Sequence, residues 1–182
     1  TWIHPFDDPE IMAGQGTAAL EMLEDQPDLD TLIVPIGGGG LISGMATAAK
    51  AHNRFLRVVG VEAAMYAGMR ARLEGREPVT GGATIAEGIA VKDGGEVAEG
   101  VVKELVDDVV LVEEEQIERA VTLFADVEKA VAEGAGAAGL AAMLAHPSKC
   151  AGRRVGLILC GGNIDSRLLA SVLMRSLVRD NR

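Results

Sequence analysis

A chain of 182 residues, 48% of them apolar, is long enough for one domain with a real core and too short for a second full one. A net charge of −10 and an aromatic content of 3% argue against nucleic-acid binding, which needs a basic stripe or stacking rings, so a small anionic ligand would have to be held by local dipoles. No apolar run approaches the roughly 18 residues of a membrane span, and only two cysteines, Cys150 and Cys160, with no signal peptide at the start, point to a reducing, cytoplasmic compartment.

Trp2 to Phe6 reads as the end of a strand; with no initiator Met before it, the chain is expected to be part of a longer protein. Asp7-Asp8-Pro9 then starts a helix, Asp8 as N-cap and Pro9 at the first helical position, running to about Leu23. Gly14 and Gly16 cost about 1 kcal/mol each against Ala inside it and so mark a close approach, tight packing against the sheet being the plain explanation. Leu32 to Ile36 is a buried strand in which Pro35 ends regular pairing. Four consecutive glycines, Gly37, Gly38, Gly39 and Gly40, lead from it into a helix from Leu41 to His52. Strand, tight turn and helix make a phosphate cradle: backbone without Cβ atoms lets N–H groups approach an anion, and the first helical turn adds its dipole.

Arg57 to Glu62 is the next strand, and Met65 to Leu73 a helix closed by Gly75. Arg76 to Gly95 is a glycine-rich loop, longer than compact domains usually carry, and reads either as a wall of the site or as an ordered surface excursion. Val97 to Val106 is a helix and Val109 to Val112 a short strand. Ile117 to Val131 is a longer helix with Ile117, Val121, Phe124 and Val131 on one face, Glu113-Glu114-Glu115 standing at its N-terminus as favourable charge–dipole placement. Glu133 to Leu140 opens a helix of small residues that runs to about His146. Arg154 to Leu159 is the last buried strand and ends in Cys160-Gly161-Gly162-Asn163; Leu168 to Val178 is a terminal amphipathic helix. Strands alternating with helices at this spacing imply an α/β fold with a parallel sheet, as one domain over residues 1–182. Ligands bind beyond the C-terminal ends of parallel strands, so the Gly37–Gly40 and Cys160–Asn163 stretches fall on one edge.

Two cofactor readings compete for the glycines. In a dinucleotide-binding, Rossmann-like domain, Glu62 stands where a carboxylate would hold a ribose hydroxyl, but the G-x-G-x-x-G spacing fails at Ser43 or Ile42. The second reading rests on five stretches in order. These are His4-Pro5-Phe6-Asp7-Asp8-Pro9 with Ala13-Gly14-Gln15-Gly16-Thr17, then Val34 to Leu41, Thr84 to Val91, Glu133 with its Gly/Ala run, and Cys160-Gly161-Gly162-Asn163-Ile164-Asp165. Together they resemble the threonine/serine dehydratases, pyridoxal-phosphate enzymes of the fold that includes serine racemase and tryptophan synthase β.

The resemblance implies a three-layer αβα domain with a mainly parallel sheet, the larger cofactor domain of a fold-type II enzyme. It also implies deamination of L-threonine or L-serine to a 2-oxo acid and ammonia, with a serine racemase-like activity as the alternative. It assigns the 5′-phosphate of pyridoxal phosphate to the backbone N–H groups of Gly37, Gly38, Gly39, Gly40 and Leu41, puts Gly88 beside the cofactor, and sets Cys160 against the pyridine nitrogen. Read without the family, Cys160 is a small core residue. Glu133 matches a glutamate near the site, and equally reads as the acid of a helix N-terminus. Racemase-like members hold a divalent metal through a glutamate matching Glu62 and an aspartate further on; that second position falls on Ala67 or Gly68, so no metal is expected, Glu62 being a weak candidate ligand that reads rather as a strand-end carboxylate. The S-x-K-x-R-G segment with the Schiff-base lysine and the G-N-H loop that grips the substrate carboxylate are absent. Lys50, Lys92, Lys103, Lys129 and Lys149 lie in other contexts, so the chain resembles the C-terminal part of the catalytic region and is expected to be inactive alone. The full-length enzyme is expected to be a homo-oligomer, dimer or tetramer, acting on a small amino acid.

Overall fold

The structure, a computed structural model, describes residues 3–78 and 81–179. Four strands, β1 (Thr31–Pro35), β2 (Arg57–Ala63), β3 (Asp108–Val112) and β4 (Val155–Leu157), form one sheet in the order β3-β2-β1-β4, every pair parallel. Among the described residues seven α-helices surround it: α1 (Pro9–Asp25), α2 (Gly40–His52), α3 (Gly68–Leu73), α4 (Glu96–Leu105), α5 (Glu114–Leu123), α6 (Gly134–Ala145) and α7 (Ser166–Arg179).

Alternation along the strands explains the layering. Leu32, Val34, Val58 and Val109 point to one face, where they pack with residues of α1, α2, α3 and α4 such as Met12, Met45, Met69 and Val102. Ile33, Val59, Val61, Val110 and Val112 point to the other, against Ile117, Ala138 and Val172 of α5, α6 and α7. Strands covered on both faces read as continuous apolar runs, and β1 is buried at all five positions. This is the expected three-layer αβα arrangement with a parallel sheet.

The chain leaves β1 for β2 through α2, while β4 returns on β1's other side. Between β1 and β4 the strand order therefore reverses, which opens a crevice beyond their C-terminal ends.

Several boundaries differ from expectation for identifiable reasons. Ile3 to Phe6 form no strand: His4 Nδ1 accepts the N–H groups of Asp7 at 2.8 Å and Phe6 at 3.4 Å, bending the segment; Trp2 lies outside the described residues. Gly16 packs on a helix and not on the sheet, since a Cβ there would stand 2.9 Å from the Gly44 carbonyl oxygen of α2, whereas Gly14 faces open space. The helix expected from Met65 starts at Gly68, because the Glu62 carboxylate captures the N–H groups of Met69 and Arg70 and so fixes where it begins. The helix expected to reach Val131 ends in a π-turn over Phe124–Glu128, with Lys129 in the left-handed region at φ 58°. That wide turn leaves Val131 55% exposed, off the apolar face, and buries Ala132 next to Glu133. The last strand pairs only over three residues, ending before Ile158.

Candidate functional site

Beyond the ends of β1 and β4 lies a cavity of about 360 Å³, lined by Gly37, Gly38, Gly39, Gly40, Leu41, Gly88, Glu133 and Cys160, together with Phe6, Gln15, Ile89 and Val91. The fold thus gathers the residues assigned from sequence to cofactor binding, and Glu133, around one space; Glu62 is not among its lining residues.

The glycine loop is held from every side. A Cβ on Gly37 would lie 3.1 Å from the Gly88 carbonyl oxygen and from Ile89 Cα. One on Gly38 would enter the Phe6 ring, and one on Gly40 would stand 2.6 Å from the Phe6 carbonyl oxygen. Gly39, at φ 98°, has the Ala98 methyl 2.6 Å and the Met69 methyl 3.1 Å from where its Cβ would be; a side chain is thus excluded there by both backbone and space. The Arg76–Gly95 loop contributes Gly88, Ile89 and Val91 on and beside a 3₁₀ turn, Glu87–Ile89, so its wall reading is the one realised. That loop is tied down by Glu114, whose carboxylate accepts the Ile85 N–H at 3.0 Å and the Thr84 hydroxyl.

The floor on the β4 side depends on close backbone contact as well. Glu133 N–H donates to the Gly161 carbonyl at 3.1 Å, and a Cβ on Gly161 would collide with the Glu133 carboxylate, which also stands 3.3 Å from the Cβ position of Gly88. Glu133 is the N-cap residue of α6 but makes no side-chain cap. Its carboxylate lies instead between Gly88 and Gly161 at the cavity.

Cys160 sits at the rim, accessible to solvent. Crowding by surrounding atoms, with the Glu133 charge acting in the same direction, nevertheless holds its thiol above the ordinary value, so it stays protonated at neutral pH. No Lys or Arg is among the lining residues. What this chain offers an anion is backbone: α2 begins at Gly39 without a side-chain cap, and so does α6 at Glu133. Among the described residues no side chain accepts their first-turn N–H groups, and both helix starts open on the cavity.

Glu62 is occupied elsewhere. It is 1% exposed, and its two oxygens accept the N–H groups of Met69 at 2.8 Å and Arg70 at 2.9 Å. Burial pushes its carboxyl up to about 7, against the pull of those two N–H donors and of the Arg70 charge. Both Glu62 oxygens are thus engaged by the start of α3, and the residue does not line the cavity.

Phe6, Asp7, Met69, Gly95 and Ala98, which hold the loop, were not legible as site residues. The His4–Pro9 stretch stood out in the sequence, but the partners of Asp7 lie about ninety positions away, at the start of α4.

This chain belongs to the family of pyridoxal-phosphate dependent enzymes, which it matches over residues 1–161. It is 44% identical to the L-threonine ammonia-lyase of Thermotoga maritima, covering 100% of this chain and 45% of that protein. It is likewise 44% identical to the L-threonine dehydratase catabolic TdcB of Escherichia coli, with 90% of this chain and 51% of that protein covered. Among solved structures, a threonine deaminase from T.th. superposes with a TM-score of 0.82 at 38% identity, over 90% of this chain and 55% of that one. Maize serine racemase superposes at 0.85 and 37% identity, over 96% and 56%. The chain spans about half the length of the curated relatives it matches. Its αβα layers and parallel sheet are those of the fold-type II members.

Proposed function

We propose that this chain forms the cofactor-phosphate side of a pyridoxal-phosphate dependent ammonia-lyase that, as a full-length protein, converts L-threonine or L-serine to a 2-oxo acid and ammonia. The observation that carries the reading is the meeting of two uncapped helix starts, α2 and α6, on one glycine-lined cavity. A phosphate group fits there on donor chemistry: the N–H groups of Gly37 to Leu41 can approach it because the loop has no Cβ atoms, and the α2 dipole offsets its charge without a cation from this chain. When bound, the cofactor supplies an electron sink for elimination at the substrate's β-carbon.

Cys160 in this reading faces the ring nitrogen. Its neutral thiol is a weak partner that, unlike a carboxylate, does not hold a proton on that nitrogen, which suits elimination of water. Glu133, unbonded to its own helix, is available to hold or move a proton at the cavity wall. Gly88 and Ile89 form part of the cavity wall. None of the lysines of this chain lines the cavity, so the covalent anchor belongs to the part of the relatives' length that this chain does not span. Two cysteines outside any disulfide fit a reducing, cytoplasmic setting, and among the described residues no helix is long and apolar enough to cross a membrane. A homo-oligomer is the expected assembly.

The test is the full-length protein supplied with pyridoxal phosphate and L-threonine. Release of 2-oxobutanoate with ammonia is expected; release of neither, from threonine or serine, sinks the reading. The similarity to maize serine racemase makes D-serine the second product to assay.

A further inference from the structure

Asp7 precedes α1 but is not its cap. That role falls to Asp8, whose Oδ1 accepts the N–H of Glu10 at 2.8 Å and of Ile11 at 3.4 Å. The Asp7 carboxylate reaches the start of α4 instead: Oδ2 accepts from Glu96 N–H at 2.9 Å and Val97 N–H at 3.4 Å, and Oδ1 from Ala98 N–H at 3.0 Å. His4 fixes its backbone by accepting the Asp7 N–H at 2.8 Å.

The first turn of α4 is the outer wall of the glycine loop. Gly95 N–H donates to the Gly38 carbonyl at 2.9 Å, and the Ala98 methyl stands 2.6 Å from where a Cβ on Gly39 would be. A peptide unit is planar and trans, so a Gly38 carbonyl turned towards Gly95 sets the Gly39 N–H on the opposite side of the loop. The conformation of Gly39, at φ 98°, is held by the same contacts.

We propose that Asp7 is a positioning residue for phosphate binding: by holding the first turn of α4 it keeps Gly95 and Ala98 against Gly38 and Gly39, and so aims the loop's N–H groups at the anion. The inference deepens the cofactor reading and rests on it. Asp8 supplies the matched control, since it offers the same carboxylate to a helix start in the same segment without holding α4.

Asp7→Asn and Asp8→Asn are compared with the wild type, each as the full-length protein, in two measurements: titration with inorganic phosphate and with pyridoxal phosphate, and amide hydrogen exchange of Gly95 in the ligand-free protein. Asp7→Asn is expected to weaken both ligands by roughly tenfold, the usual size of a lost supporting contact, and to speed Gly95 exchange; Asp8→Asn leaves both near wild type. Equal affinities in the two variants, or a Gly95 amide as protected in Asp7→Asn as in the wild type, overturns the proposal. If Asp7→Asn does not fold, Asp7→Ser keeps a neutral acceptor at the helix start and carries the same two readings. A wild type that takes up neither ligand removes the cofactor reading itself, and Gly95 exchange alone then decides whether Asp7 holds the loop.

Discussion

The helices of this domain fall into two groups by how they begin. At α1, α3, α4 and α7 a carboxylate accepts the leading N–H groups: Asp8, Glu62, Asp7 and Asp165 respectively. At α5, Gln116 reaches back to accept the N–H of Glu113 at 2.9 Å. At α2 and α6 no side chain among the described residues does this. A cap contributes typically about 1 kcal/mol, so a chain with 27 acidic residues that leaves two starts bare forgoes stability at two starts that face the cavity. The capped starts hold the fold together; the bare ones keep their donors for a ligand.

The sharpest way to break that division is to fill the bare start of α2. Gly39→Val puts a β-branched side chain at φ 98°, where Ala98 and Met69 already occupy the space. Strain and overpacking together are expected to cost about 3 to 5 kcal/mol of unfolding free energy and to abolish phosphate binding, measured by denaturant unfolding and phosphate titration. A variant that binds phosphate as the wild type does would mean that the α2 start is not the anion site.

Glu62 tests the capped group through pH. With its carboxyl at about 7 in the folded chain and an ordinary value of 4.5, the folded state keeps a proton between those values that the unfolded state has lost. Stability from this group is therefore full below about pH 4.5 and declines as pH rises through 7, by on the order of 3 kcal/mol. Glu62→Gln removes the titration while leaving one of the two N–H groups without its acceptor, a pH-independent cost of about 1 kcal/mol. The stability difference between the two proteins should thus move in favour of Gln from pH 4.5 to 8; a flat difference refutes the raised carboxyl. Among the capped starts, Asp165→Ala is the smaller perturbation. Its Oδ1 accepts from Arg167 at 2.9 Å and Leu168 at 3.1 Å on an exposed helix start. About 1 kcal/mol is expected, with phosphate affinity unchanged.

The division was partly legible in the sequence. Asp8 before Pro9, the tetraglycine and the Cys160 motif announce themselves because cap, turn and strand end are local features, and the alternation of strands with helices signalled the parallel sheet. Asp7 did not, because it caps a helix about ninety positions away and a sequence read locally assigns a carboxylate to its nearest helix; Glu62 did not, because it stands inside β2, several residues before the helix it caps. The same limit explains Met65 to Ala67, read as helix until Glu62 is seen to claim Met69 and Arg70. Val131 was misplaced because a 3.6-residue period carries no sign of where a π-turn interrupts it. Glu133 stayed ambiguous in sequence: only the packing of Gly161 and Gly88 against its carboxylate separates a cap from a cavity residue.

The smallest expected effects concern the rim. Cys160→Ala should leave the unfolding free energy within about 0.5 kcal/mol, as for an exposed site, and spare phosphate affinity, while changing turnover in the full-length enzyme; an unchanged rate removes the proposed contact with the ring nitrogen. Its partner can be probed without turnover. The Glu133 charge is one of two causes, and the lesser, that hold the Cys160 thiol above its ordinary value. Since only the thiolate is alkylated, Glu133→Gln should speed iodoacetamide labelling of Cys160 at pH 8. Cys150 is the internal reference, because its raised thiol owes nothing to Glu133. Acceleration at both cysteines would signal general loosening of the fold, whereas acceleration at Cys160 alone locates the Glu133 carboxylate at the bare start of α6, facing the ligand.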